Sequence, residues 1–361
     1  MKKLLFSILI ILLCLTSFML IACDGEEDIT TTVDKEDNTT TTTVEVPCSH
    51  EKTNIIHGVS PTTKRTGLTD GMECSDCGLI LKSQSIIPAE PIIDGLEYRL
   101  NNDNSSYSII GIGEITDTEI VIPSTYNGFP ITEIGENAFF ECEKFKSITI
   151  PNSVTIIGRS AFEGCKSLEK IYIPDGVTKI GRAAFMHCDK LKSVTLPNSL
   201  TIIENYLFSQ CKSLTTVKMP EKVTTMGLCV FMNCESLLSI TIPDGVTVIS
   251  DDSFLSCTSL TSVKLPSTLV EIRESAFYGC SNLKSINIPD SVTTLSPYAF
   301  KCCSSLERLV IPKGLNKMGH DVFSSCPKLT LYCEAEEQPD GWVKNWSSGT
   351  KKVVWGYKEE Q

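Results

Sequence analysis

A step of 23 residues runs through most of this chain and limits what it can fold into more than any other feature. An apolar residue followed by proline recurs at Pro151, Pro174, Pro197, Pro220, Pro243, Pro266, Pro289 and Pro312, each 23 residues after the last. Phe139, Phe162, Phe185, Phe208, Phe231, Phe254, Phe277, Phe300 and Phe323 keep the same beat, as do Cys142, Cys165, Cys188, Cys211, Cys234, Cys257, Cys280, Cys303 and Cys326. A fixed period in this range is the signature of a solenoid.

Leu191 to Cys211 serves as the type coil. Val194 and Leu196 alternate with Ser193 and Thr195, and a period of two puts the apolar pair on one face of a strand. Pro197 ends that strand because it has no N–H for a neighbouring ladder. Leu200 and Ile203 point inward again. Gly158, Gly181 and Gly227 follow the equivalent positions of other coils, which suits a bend where backbones pack closely. The remaining stretch, such as Arg159 to Cys165, is long enough only for a turn of 3₁₀ or α-helix. One coil cannot bury its own apolar side, so neighbouring coils must complete the core and align like strands in a parallel sheet about 4.8 Å apart.

The pattern L-x-x-[IV]-x-[IL]-P…V-x-x-I-x-x-x-A-F-x-x-C resembles the BspA-type leucine-rich repeat of bacterial surface proteins, over about residues 119–333. The resemblance implies an α/β repeat: a right-handed leucine-rich repeat solenoid with a parallel β-sheet face and short turns or 3₁₀ helices on the other side. The commoner leucine-rich repeat carries an internal Asn. Here that position reads Ser153, Gly176, Ser199, Lys222 and Gly245, so the usual Asn ladder is missing.

In chain order, residues 1–22 open with Lys2 and Lys3 and continue as an apolar run to Leu20. The run ends in Leu20-Ile-Ala-Cys23, which resembles the bacterial lipobox. The expectation is a lipoprotein signal with Cys23 lipidated; an uncleaved transmembrane anchor is the alternative, and both tether the protein outside the cytoplasm. Residues 23–47 continue as an acidic, threonine-rich stretch with too few aliphatic residues for a core and are expected to be a disordered tether. Residues 48–91 form a small unit with Cys48, His50 and the Cys74-x-x-Cys77-Gly78 knuckle, a Cys₃His set suited to one tetrahedral zinc. This unit is similar to a short module that precedes repeats in clostridial-type surface proteins, matched at Thr66–Gly71, Cys74–Gly78 and Ile86–Ala89. Many such modules carry a Cys where Thr63 stands and a His after the Pro-Ala pair, both absent here. A disulfide through Cys74–Cys77 or Cys48 is the alternative, and His57 is a substitute ligand. Residues 92–130 are expected to cap the stack, with a hairpin at Gly95–Leu100 and Tyr107–Ile110. Residues 131–333 hold the repeats. Residues 334–361 contain all three tryptophans, Trp342, Trp346 and Trp355, and read as the C-terminal cap.

The formal net charge of −12 and the lack of a basic stripe argue against nucleic-acid binding. No nucleophile elbow, phosphate loop or repeated carboxylate pair suggests an enzyme. Cys229 and Cys302 fall outside the Cys column and read as loop substitutions. The outward strand positions are mostly Ser and Thr, interrupted by Lys170, Tyr172, Lys218 and Lys264, with Lys192 alongside. A flat ribbon of hydroxyls with sparse cations and one aromatic suits a macromolecular surface partner, most readily a protein. The family resemblance implies an adhesin-like lipoprotein of the bacterial cell surface, held to the membrane by its N-terminal lipid. A structural envelope spacer without a specific ligand is the alternative.

Overall fold

The computed structural model describes short backbone segments between Thr53 and Ile87, and residues 95–113 and 117–358. Cys23, Cys48, His50 and Cys77 lie outside the described residues. The chain divides into a small unit, residues 1–60 and 68–87, and a large one, residues 61–67 and 88–361.

In the small unit, Gly71–Cys74 is the middle strand of an antiparallel sheet, flanked by Thr53–Ile56 and Ile80–Lys82. Cys74 stands opposite Thr53 in that register. Gly67–Leu68 pairs with Ile86–Ile87.

The large unit is a solenoid of strands and turns. Its first ladder comprises Glu119–Val121, Ser147–Thr149, Lys170–Tyr172, Ser193–Thr195, Thr216–Lys218, Ser239–Thr241, Ser262–Lys264, Arg308–Ile311, Thr330–Cys333 and Lys352–Val354, with a single bridge at Ser285. Neighbours that pair do so in parallel, one coil apart, as in Ser193↔Thr216 and Val194↔Val217. In the four strands from Ser193–Thr195 to Ser262–Lys264 the middle residue faces the core and its neighbours face out, as the alternation requires.

A second parallel ladder runs beside it through Phe129–Ile134, Ile156–Ile157, Lys179–Ile180, Ile202–Ile203, Thr225–Met226, Val248–Ile249, Glu271–Ile272, Thr294–Leu295 and Lys317–Met318. From the sequence only the second residue of a pair, such as Ile180, Ile203 or Met226, points inward; the structure makes both residues a strand. The glycines that follow regulate how closely the coils approach. A Cβ on Gly227 would sit 2.5 Å from the Asn205 nitrogen, and one on Gly181 2.5 Å from the Arg159 nitrogen. This ladder is interrupted before Ile202–Ile203 and before Val248–Ile249; Glu204 and Ser250 stand in place of that glycine there, as Arg273 and Ser296 do where the ladder is unbroken.

The third side departs from expectation. No helix or 3₁₀ turn is present among the described residues. Each coil instead places two left-handed residues four apart, as at Asn137 and Glu141, His187 after Ala183, Tyr206 and Gln210, or Cys229 and Asn233, all with φ between 50° and 65°. A helix needs consecutive right-handed residues, so it cannot propagate through this pattern. Alternate N–H groups there serve different partners. Phe139 N–H donates to Ala161 O of the next coil, whereas Phe140 N–H folds back to Asn137 O. The interval thus becomes a third inter-coil hydrogen-bonded seam, and that offsets the cost of the left-handed residues. Cys229 and Cys302 both occupy these left-handed columns.

The core is continuous from Leu96 to Trp346. Phenylalanine rings from Phe139 to Phe323 stack with centroids 5.1–5.8 Å apart and planes within 14° of parallel. Beside them runs a spine of free thiols. Each Cys from Cys165 to Cys326 donates its S–H to the carbonyl of the Phe column residue one coil back, at 3.0–3.2 Å. That carbonyl also accepts an N–H from the Cys of its own coil, as Phe208 O does from Cys211. The thiol thereby fills the inter-coil role left vacant by the missing Asn ladder. Burial pushes up the thiols of Cys188, Cys234, Cys257, Cys280 and Cys303, and that of Cys326 to about 12. Cys142 heads the column, is only half buried, and is held at about 11 by desolvation and then by Cys165.

At the N-terminal end, Leu96–Leu100 and Tyr107–Ile112 form an antiparallel hairpin whose second strand joins the second ladder through Phe129–Ile134. At the other end Trp346 meets Phe323 edge-on at 6.3 Å. Trp342, also buried, donates its indole N–H to Leu315 O at 3.1 Å.

Candidate interaction surface

The outward positions of the first ladder form two parallel rows of side chains on rigid backbone. Lys170 and Tyr172 sit two apart on one strand and therefore share its outer face. Both are exposed, and Tyr172, at 62%, is the most exposed of the large hydrophobic residues described. Lys218 and Lys264 also face out, each in register with a threonine of the adjacent strand, Thr195 and Thr241. At about 4.8 Å per strand, Tyr172, Lys218 and Lys264 follow one another at roughly 10 Å intervals. The structure thus puts four of the five residues singled out from sequence on one face. Lys192 differs: it precedes its strand, and its ammonium reaches Glu169 at 2.9 Å. That hydrogen bond, reinforced by the charge of Lys192, pulls the Glu169 carboxyl below its usual range.

A cleft of about 380 Å³ opens beside Lys218, bordered by Met219, Glu221, Ile240 and Pro243. It lies where the ladder is interrupted between Thr216–Lys218 and Ser239–Thr241. The equivalent bonds, Leu196 N–H to Lys218 O and Ile242 N–H to Lys264 O, are present on either side. Met219, half-buried, supplies the accessible apolar side chain there, while Ile240 and Pro243 stay buried in the cleft wall.

A second aromatic and cationic group was not recognised from sequence. Arg308 lies over the rings of Tyr332 and Tyr357, at 4.9 and 5.4 Å, and donates to the Tyr357 hydroxyl at 2.7 Å. Tyr332 stands in register with Val310, hence in the row of Tyr172 and Lys218. The last coils are 22 rather than 23 residues long, which hides Tyr332 from a strict count. Allowing one deletion would have found it.

Tyr98 and Tyr126 stack at 3.9 Å in the first coils, with Tyr107 edge-on to Tyr126 at 5.0 Å. These rings lie between columns of the regular repeat and carry no periodic signal. Of the residues assigned to a metal site, only Cys74 has described backbone; among the described residues no cluster of three or more potential ligands is present.

The profile of the BspA-type leucine-rich repeat region matches residues 132–257 and 227–332 in six copies. The chain belongs to this family. As a BspA-type repeat protein it has relatives of known structure. A leucine-rich repeat protein of T. pallidum is 32% identical with a TM-score of 0.51, over 54% of this chain and 90% of its own. A leucine-rich cell surface protein of Faecalibacterium prausnitzii is 24% identical with a TM-score of 0.35, covering 75% and 96%. The pneumococcal vaccine antigen PcpA is 19% identical with a TM-score of 0.35, covering 72% and 97%. No curated protein matches the sequence significantly.

Proposed function

We propose that this BspA-type protein is a lipid-anchored, extracytoplasmic binding protein of the bacterial surface that holds a macromolecular partner, a protein, against the outer face of its first ladder. The observation that carries this reading is the run of Lys170, Tyr172, Lys218 and Lys264 on a rigid hydroxyl-rich sheet, beside an apolar cleft. Tyrosine supplies contact area with a polar tip, and lysines at fixed spacing favour an acidic partner. Charges in the acidic segment 24–47 are screened beyond about 8–10 Å and do not cancel that attraction at a distance. The lipobox-like Leu20-Ile-Ala-Cys23 supports the anchor.

The test is capture of envelope and host surface proteins with the chain, followed by affinity measurement on Tyr172→Thr/Lys218→Thr. Both changes keep β propensity, so folding is retained while binding weakens by more than about 1 kcal/mol. Unchanged affinity would move the contact away from this face. Failure to capture any partner across both compartments would favour the structural spacer.

A further inference from the structure

The side built from left-handed turns carries a charge pattern unlike that of the strand face. One outward column there reads Arg159 and Arg182, then Asn205 and Leu228, then Asp251 and Glu274, each one coil further along. Both arginines, Leu228 and Glu274 are exposed, and Asp251 is partly so. Arg182 rests on the Tyr206 ring at 5.0 Å, and among the described residues neither Arg182, Asp251 nor Glu274 is in an ion pair. Asp252, the neighbour of Asp251, has its carboxyl pushed up by burial first and then by the charges of Asp251 and Glu274. Asp251 and Glu274 thus have no ion-pair partner among the described residues, the nearby Arg273 being engaged by Glu271 at 3.1 Å; at the basic end Arg159 has Glu136 at 3.5 Å, and Glu163 lines the same cleft as Arg159 and Arg182.

Basic and acidic ends lie at equal numbers of coils from the gap between the Asn205 and Leu228 rows. A two-fold axis along that gap, perpendicular to the stack, would lay two copies antiparallel, each column facing itself in reverse order. Arg182 of one copy then meets Asp251 of the other, and Arg159 meets Glu274. The neighbouring column obeys the same operation, since Met186 falls opposite Leu255 and Glu163 opposite the Tyr278 hydroxyl. All four of these are half-buried in the single chain. Leu228, 37% exposed, lies next to the axis. None of these pairings sets like charges together. The strand face has no such complement, because from Ser147 to Asn287 its outward positions carry lysines and no carboxylate.

From this self-complementarity we infer that the turn side is a homodimer interface, a second copy of this chain docking antiparallel about the Asn205–Leu228 gap. The strand faces of the two copies then remain free, so a dimer presents two partner-binding surfaces and gains avidity for a repeated ligand.

Light scattering on the full chain in detergent, with the detergent contribution subtracted, tests this without any ligand. The expected result is a concentration-dependent dimer. Arg182→Asp and Asp251→Arg each place two like-charge pairs in the symmetric interface, so each weakens dimerisation at least about tenfold. Combining them restores the opposite pairing, and the dimer with it. Arg159→Glu with Glu274→Arg repeats the cycle one row further out, should either inner variant fold poorly. A monomer up to about 100 µM, weaker than interfaces of standard size, would overturn the inference. So would a dimer indifferent to the single changes, or one not recovered by the double change. None of these results bears on partner binding by the strand face.

Discussion

Replacing Cys234 tests whether the thiol spine acts through packing alone or also through its hydrogen bonds. Cys234 is fully buried and its S–H reaches Phe208 O at 3.1 Å. Cys234→Ala removes one heavy atom, worth about 0.8 kcal/mol in lost burial. A residual void near 25 Å³ adds about 0.6 kcal/mol, and loss of the S–H bond about 0.5 kcal/mol. The sum is about 2 kcal/mol. It stays below the cost of an orphaned acceptor because Cys211 N–H still bonds Phe208 O at 3.1 Å. Cys234→Ser loses similar volume but keeps a donor aimed at the same carbonyl. If the bond contributes, Ser is the milder change, at about 1 kcal/mol; if packing alone matters, the desolvated hydroxyl makes Ser worse than Ala. Urea unfolding followed by circular dichroism gives the order directly. Serine less stable than alanine would refute the hydrogen-bonding role, and a cost below about 0.5 kcal/mol for alanine would refute the burial reasoning as well.

Gly227→Ala should cost about 1–3 kcal/mol, because its Cβ meets the Asn205 backbone, and the loss of slow-exchanging amides should centre on Thr225–Met226. In the native protein near pH 8 a thiol reagent should label Cys142 and Cys302, the two partly exposed thiols among those described, well before Cys165 to Cys280; denaturation without reductant should then release the rest, and a count near zero would show disulfides instead. Elemental analysis is expected to find one zinc per chain, held by Cys48, His50, Cys74 and Cys77. The chain carrying the first two enters at Thr53, and the chain carrying Cys77 leaves at Cys74, its antiparallel partner. A metal-free protein with a mapped disulfide in that unit would rule the zinc out.

Repetition at one interval was enough to set the stacking direction, the inward columns and the strand register. These follow from local chemistry repeated at one interval: Val194, Leu196, Phe208 and Cys211 each have a like residue one coil away, so a single solution satisfies all copies. Lys170, Tyr172, Lys218 and Lys264 were legible for the same reason, since alternation fixes which strand residues face out. The third side was not. Its left-handed positions hold Asn137, Ser160, Ala183, Tyr206, Cys229 and Asp252 in turn, a mixture with no common propensity, because the bonds that hold them there reach into the next coil. The partnership of Arg308 with Tyr332 and Tyr357, and the opposed charges of Arg182 and Asp251, likewise depend on which coils stand beside or across from each other. Periodicity records what each coil needs from its neighbours. Only the stacked structure shows which outward side chains the coils then bring together.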